Sequence, residues 1–314
     1  MERASEMILV CGEALYDLFA AEVSDGFTFQ ARAAGSPFNV AVGLSRLGAP
    51  TAFCTGLSKD FLGDKLAARL DEEGVSLDHI HRLAAPTTTA FVSLADDRAA
   101  TYAFYGEGAA DRSLPIETEV DLTGVEALHF GSYSFFVGST ADLFLATMRR
   151  AHGRFVSLDP NVRPTVEPDM TICRARVEEA APHCTLIKMS DEDAAHLYPG
   201  ALLDDVASKL LSLGDEIVAM TQGAAGAAIY TRDKCVRSPA KTGEVVDTVG
   251  AGDSFQSAML ARLYEAGVAR NGASGVSPDF WGQTLDYALE AAAITCSRAG
   301  ANPPFLDELG EGAP

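Results

Sequence analysis

Positive charge is scarce in this chain. Against 44 Asp and Glu stand 24 Lys and Arg, a formal net charge of −20 over 314 residues. Such a field repels polyphosphate, so nucleic acid and anionic membrane surfaces are excluded as partners, while a small anion in a local pocket is not. The 6 cysteines form no CxxC pair, and several lie in apolar runs such as MILVC, the pattern of buried free thiols. No apolar stretch approaches the roughly 20 residues of a membrane span. The opening MERASEMILV carries acid and base ahead of a short apolar run, unlike a signal peptide. A cytoplasmic, reducing location is therefore expected.

Several catalytic signatures are also missing. There is no GxxxxGK[ST] phosphate loop, no HExxH zinc helix and no GxSxG elbow. GEGAAD (106–111) only half-resembles GxGxxG and follows a hairpin pattern rather than opening a helix, so a dinucleotide fold is unsupported. The histidines are scattered. Only His79 and His81 are close, and a zinc site needs three or four ligands.

Short apolar runs alternate with segments of helical period. Strands are predicted at 7–11, 51–56, 127–131, 154–159, 185–190, 216–221 and 227–231, and helices at 37–48, 61–74, 139–153, 202–214, 253–267 and 284–300. This alternation predicts an α/β sandwich, helices on both faces of a mostly parallel sheet. Two stretches, 17–32 and 87–105, break the rhythm. They read as β-hairpins turning at SDG and ADDR, neither followed by a helix, and together as a small second sheet placed to cover a cleft. The whole of 1–314 is expected to be one α/β unit with lid segments at about 14–33 and 87–110 inserted. Polar clusters CGEALYD, GSYS, DPNVR, KMSDED and TQGAAG follow predicted strands, at the sheet edge where ligands collect.

DTVGAGDSF (247–255) runs directly into a helix. Helix N-termini carry unpaired N–H groups and partial positive charge, and glycine lets a ligand approach them closely. Gly250, Ala251 and Gly252 thus form a cradle for a phosphoryl group. Asp253, on the first turn, would repel an anion if binding were the only task. It makes sense as a base that takes the proton from an attacking alcohol, although a helix-capping role fits the same position. Asp247 and nearby carbonyls suit a monovalent cation that stiffens the loop.

These residues carry a resemblance. DTVGAGDSF resembles the DTxGAGDxF motif, and GSPFNVAVGLSRLG (35–48) the GGxxxNxAxxLxRLG motif, of the ribokinase-like PfkB carbohydrate kinases, over about residues 7–304. The resemblance implies a three-layer αβα fold with a β-sheet lid, and transfer of the γ-phosphoryl of ATP, with Mg²⁺, to a sugar hydroxyl. It implies Asp253 as catalytic base and Gly250, Ala251 and Gly252 as anion hole. Asp17, Gly35 and Asn39 match sugar-binding positions, with Tyr102 and Phe104 of the lid and Arg163 as further contacts. Thr221, Gly223 and Gly226 match a TxGxxG segment near the nucleotide, and Ala299, Gly300 and Asn302 lie where the adenine pocket closes. Asp247, with Val249, matches a K⁺ site. Where the family often has NxxE near Mg²⁺, this chain has Ser190 and Asp193, which keep a polar oxygen and the charge on a shorter arm.

The motifs GEALYDL (12–18) and ADRSL (110–114) are similar to those of the fructokinase branch, which implies fructose 6-phosphate as product. DPNVRP (159–164) also occurs in 2-keto-3-deoxygluconate kinases, which remain an alternative. A sugar acid would need a cation for its carboxylate, and the Phe104-Tyr105 pair is followed by Gly106 and Glu107 rather than Arg, which favours a neutral sugar. A sugar-binding protein without catalysis is an alternative of another class. The aromatic lid hairpins are candidates for pairing two subunits.

Overall fold

The computed structural model describes residues 6–94, 100–214, 216–272 and 276–310. Its strands are β1 (Met7–Cys11), β2 (Leu15–Val23), β3 (Gly26–Ala34), β4 (Thr51–Ser58), β5 (Ile80–Leu83), β6 (Thr89–Leu94) and β7 (Ala100–Tyr105). There follow β8 (Val125–Gly131), β9 (Phe155–Asp159), β10 (Leu186–Ser190), β11 (Ile217–Thr221), β12 (Ala227–Thr231) and β13 (Cys235–Ser238). The helices are α1 (Ser36–Arg46), α2 (Phe61–Glu72), α3 (Gly138–Arg150), α4 (Met170–Ala180), α5 (Asp191–Leu197), α6 (Leu203–Leu213), α7 (Ala251–Glu265), α8 (Val268–Asn271) and α9 (Pro278–Cys296).

One sheet runs β13-β12-β11-β10-β9-β8-β1-β4-β5. From β5 to β11 all neighbours are parallel, and β12 and β13 close the edge antiparallel. Side chains alternate across the pleat. In β1, Ile8 and Val10 join the apolar cluster with α1, α2, α7 and α9, while Leu9 and Cys11 join the opposite one with α3, α4, α5 and α6. The sandwich is therefore three-layered, as the alternation predicts.

Five of the six predicted helices and all seven predicted strands are present within about three residues, while the helix expected at 284–300 is α9, which begins earlier, at Pro278. The additions have identifiable causes. Helix α4 is charge-rich, with a weak apolar stripe, and α5 is only seven residues long. Strands β5 and β13 are edge strands of only four residues, with no fully buried side chain. Of the cysteines, Cys235 departs from expectation, being exposed on β13.

The second sheet has the order β3-β2-β6-β7. Its first hairpin turns at Ser24-Asp25, with Gly26 at φ 106°. The ADDR turn at 95–98 lies outside the described residues. The expectation that no helix follows either hairpin fails for the first. Between β3 and α1 stands a single residue, Gly35.

Helix α7 is buried nearly all round and packs between α1 and α9. Small side chains permit this. A Cβ on Gly43 of α1 would lie 2.4 Å from Ser257 Oγ of α7. On the other side, Ser254 Oγ meets Thr295 Oγ1 of α9 at 2.7 Å.

Candidate active site

The GAGD turn forms where the chain enters α7. Gly250 is its N-cap residue, in the left-handed region at φ 79°. A Cβ there would also fall 2.5 Å from Ala301 Cβ, so both conformation and space require glycine. Ala251 N donates to Thr248 O and Ser254 N to Gly250 O. The amides of Gly252 and Asp253 have no acceptor among the described residues, which leaves two donors at the positive end of a 15-residue helix.

Asp253 does not cap its helix. Its carboxylate, in a residue only 8% exposed, turns toward α1. Ser36 Oγ donates to Oδ1 at 2.7 Å and Asn39 Nδ2 to Oδ2 at 2.8 Å. Two charge-assisted bonds fix its orientation beside the free amides and leave lone pairs to accept a proton.

The second sheet supplies the facing wall. Asp17 on β2, Ala90 on β6 and Phe104 on β7 share one rung, and so one face, with Arg32 of β3 opposite Asp17. Phe104 packs edge-on against Tyr133 of the GSYS turn, ring centroids 6.2 Å apart. Tyr102 stands opposite Val92 on β7. Burial pushes the Asp17 carboxyl up to about 6, although the Arg163 guanidinium works against the rise. Arg163 itself folds back on its own loop, where its Nη1 donates to Asn161 Oδ1 and to Val162 O. Gly35 holds φ 118°, and a Cβ there would lie 2.6 Å from Glu13 O.

Thr221 ends β11, and the following turn closes by Gln222 N donating to Gly226 O at 2.8 Å. Gly223 and Gly226 take positive φ, and a Cβ on Gly226 would strike Ser238 O at 2.1 Å. Asp247 ties two loops together, accepting from Val249 N at 3.1 Å and from Gly300 N at 2.8 Å. Ala299 is exposed and Gly300 buried. Asn302 turns toward α1, where its Oδ1 accepts from Arg46 Nη1 at 2.7 Å.

Asp193 closes a capping box on α5. Its Oδ2 accepts from Ser190 N and Oγ, and its Oδ1 from Val162 N at 2.9 Å. Protein donors thus engage both oxygens of a carboxylate expected to meet a metal. Among the described residues no group of three or more His, Cys, Asp or Glu could hold a metal ion unaided.

Sequence reasoning missed four residues at this edge. Lys188 Nζ lies 2.8 Å from Asp159 Oδ2, with the side chains 4% and 1% exposed. A Cβ on Gly252 would meet that Nζ at 3.3 Å. Glu13 is buried between the first strand and the GSYS turn, where desolvation outweighs Ser134 and Ser132 and pushes its carboxyl up to about 7. Arg32 reaches from the small sheet to Gly300, where a Cβ would lie 2.8 Å from its Nη1. The signal for Lys188 and Glu13 was a charged residue within or beside an apolar strand.

A small sheet standing over the carboxyl edge of a parallel sheet, with free helix amides beside a buried, oriented carboxylate, defines a small-molecule phosphotransferase. The chain is similar over residues 5–308 to the pfkB family carbohydrate kinase model, and it belongs to that family. A fructokinase of Rhizobium leguminosarum bv. trifolii is 40% identical over 260 residues, covering 82% of this chain and 79% of the relative. The structure of a Xylella fastidiosa fructokinase with bound ATP aligns with a TM-score of 0.88 at 29% identity, covering 98% of both chains. A Thermotoga maritima ribokinase, 21% identical with a TM-score of 0.78 over 98% of both chains, shares the fold.

Proposed function

We propose that this carbohydrate kinase is an ATP-dependent fructokinase that phosphorylates the primary C6 hydroxyl and yields fructose 6-phosphate. The observation that carries the chemistry is the Asp253 carboxylate, held by Ser36 and Asn39 beside the unpaired amides of the GAGD turn. The fructokinase names of the Rhizobium and Xylella relatives support the sugar and the nucleotide.

In this reading the sugar lies under the small sheet against Asp17, Gly35, Asn39, Tyr102 and Phe104. Its hydroxyl oxygen attacks the γ-phosphorus, the bond from that phosphorus to the β–γ bridging oxygen breaks, and the hydroxyl proton passes to Asp253. The free main-chain amides of Gly252 and Asp253 offset the charge on the moving group, whereas Ala251 N, expected to share in this, is already bonded to Thr248 O. Thr221, Gly223, Gly226, Ala299 and Gly300 border the nucleotide, while Asn302 acts from outside by fixing the loop through Arg46. Mg²⁺ fits Ser190 and Asp193 only through water, because Asp193 is already hydrogen-bonded at both oxygens. When bound, it would screen the phosphate charge. A K⁺ ion fits the carbonyl-rich loop that Asp247 pins near Val249.

A coupled ADP-release assay across fructose, ribose, glucose and 2-keto-3-deoxygluconate tests the reading. Fructose is expected to exceed the others by at least about tenfold in kcat/KM, a discrimination typical of a few polar contacts. A sugar acid winning that comparison would overturn it. One observation favours that second outcome: Arg32 stands opposite Asp17, and Arg163 is close enough to act on the Asp17 carboxyl. Absence of any phosphoryl transfer would leave only the binding-protein reading.

Asp17 should make sugar affinity pH-dependent. Its folded pKa, about 6, is above the ordinary carboxylate value, so the hydrogen-bond-accepting anion is present above that pH and lost as pH falls through it. KM for fructose is expected to rise several-fold between pH 7 and pH 5, and Asp17→Asn to raise KM at pH 7 and flatten this dependence. An unchanged slope in the variant would assign the titration elsewhere, with Glu13 the first suspect.

The outer face of the small sheet exposes Phe27, Phe29 and Tyr105, linked edge-on through Phe91. That patch supports pairing of two copies through the lid, and a monomeric sedimentation coefficient at micromolar concentration would reject it. No helix among the described residues is long and apolar enough to cross a membrane. Free cysteines support a reducing cytoplasm, which cell fractionation checks.

A further inference from the structure

Of the lysines among the described residues, only Lys188 is buried. Its position is unusual for a purely structural charge. It is the middle residue of a nearly apolar strand, LIKMS, and its ammonium borders Gly252 of the GAGD turn. Asp159, on the neighbouring strand β9, accepts from it through Oδ2, while Asp159 Oδ1 has no hydrogen-bond partner. A buried ion pair gains little over apolar residues of the same volume, so burial here calls for another reason.

The charges facing the ammonium supply one. Besides Asp159, the carboxylates of Asp193 and Asp253 act on it. The 2.8 Å contact with the Asp159 carboxylate is an ion pair, so the side chain brings a full positive charge to this edge. A nucleotide phosphate arriving at Gly252 would otherwise meet two free amides and a ring of carboxylates. Backbone amides orient an anion, but a full positive charge is needed to outweigh that many negative ones in a water-poor site.

We propose that Lys188 is the phosphate-binding cation of this site: restrained by Asp159, its ammonium donates to a non-bridging oxygen of the phosphoryl group held at the free amides of Gly252 and Asp253. The inference deepens the kinase reading and rests on it for the nucleotide, not for the sugar. Asp159 is then a positioning residue, which keeps the long lysine arm extended toward the turn when the phosphate is absent. No bond to the phosphate oxygen is made or broken by Lys188. It acts by charge and hydrogen bonding alone.

The test separates this role from simple neutralisation of Asp159. Lys188→Met alone would strand a buried carboxylate and can fail to fold, so the decisive protein is the double variant Lys188→Met/Asp159→Asn, which removes both charges together. Lys188→Gln, which keeps a donor for Asp159, serves if the double variant is unfolded. Calorimetry with ATP and with ADP, each without sugar, gives the affinity ratio. That ratio is expected to fall at least tenfold in the variant, with ADP affinity within about threefold of the parent and kcat down at least a hundredfold, the scale for loss of one donor to a transition-state anion. A folded variant that keeps the parent's ATP-to-ADP ratio, or kcat within fivefold, overturns the proposal. Because nucleotide binding is read alone, a parent that binds ATP but does not turn over fructose would overturn the substrate assignment and leave this question to the ratio.

Discussion

Asp253→Asn is expected to lower kcat by about a thousandfold, in the middle of the range for removing a general base, while the Kd of ATP stays within a few-fold. The amide has the same shape and can still accept from Ser36 Oγ, so α7 and its turn should hold their place. It cannot take a proton at neutral pH, and its N–H₂ would face Asn39 Nδ2, where the carboxylate now accepts. Removing a negative charge beside the phosphate also removes repulsion, so any change in ATP affinity should be toward tighter binding. Steady-state kinetics with calorimetry checks both halves. A kcat within tenfold of the parent would mean that another group, or solvent, receives the proton.

Gly35→Ala should be among the most damaging single-methyl changes at the site. At φ 118° and ψ 127° the residue occupies backbone space that L side chains rarely enter, and the added Cβ would press on Glu13 O at 2.6 Å. Neither neighbour is a flexible side chain that can step aside. Strain of this kind costs about 2–4 kcal/mol, which for a chain of this size corresponds to a fall in Tm of roughly 3–6 °C. Activity should fall as well, because Ser36 and Asn39, which orient Asp253, begin the helix directly after it. A Tm within 2 °C of the parent would show that the β3–α1 junction can relax, contrary to the contacts described.

The layered fold was legible because each core strand is a short apolar run and helices such as α3 and α6 carry an apolar stripe, while α7 is apolar or small nearly throughout. Residues 253–267 and 139–153 needed no tertiary information. The GAGD turn was legible for the same local reason, since its glycines and its helix are contiguous. What Asp253 does was not. A capping and a catalytic carboxylate look alike in sequence, and the choice depends on Ser36 and Asn39, more than two hundred positions away. Lys188 and Asp159 were hidden similarly. Each sat in a cluster noted at the sheet edge, but their pairing follows from β9 and β10 being neighbours in register, with Ile187 beside Leu158. Asp193 shows the converse. The resemblance implied a metal near Ser190 and Asp193, and the capping box that their spacing also satisfies was not read from it.

The crossing at Gly43 and Ser257 sets a limit on tinkering with this enzyme from a distance. Proton acceptor and its two anchoring donors ride on separate helices, and the interval between those helices is governed one to two turns farther along, where a lone hydrogen meets a hydroxymethyl group. A wedge as slight as one carbon at position 43 would splay the pair and open the anchor geometry without touching any residue that contacts a reactant. Variation in turnover among close relatives can therefore originate in the helix spacing, well outside the pocket lining.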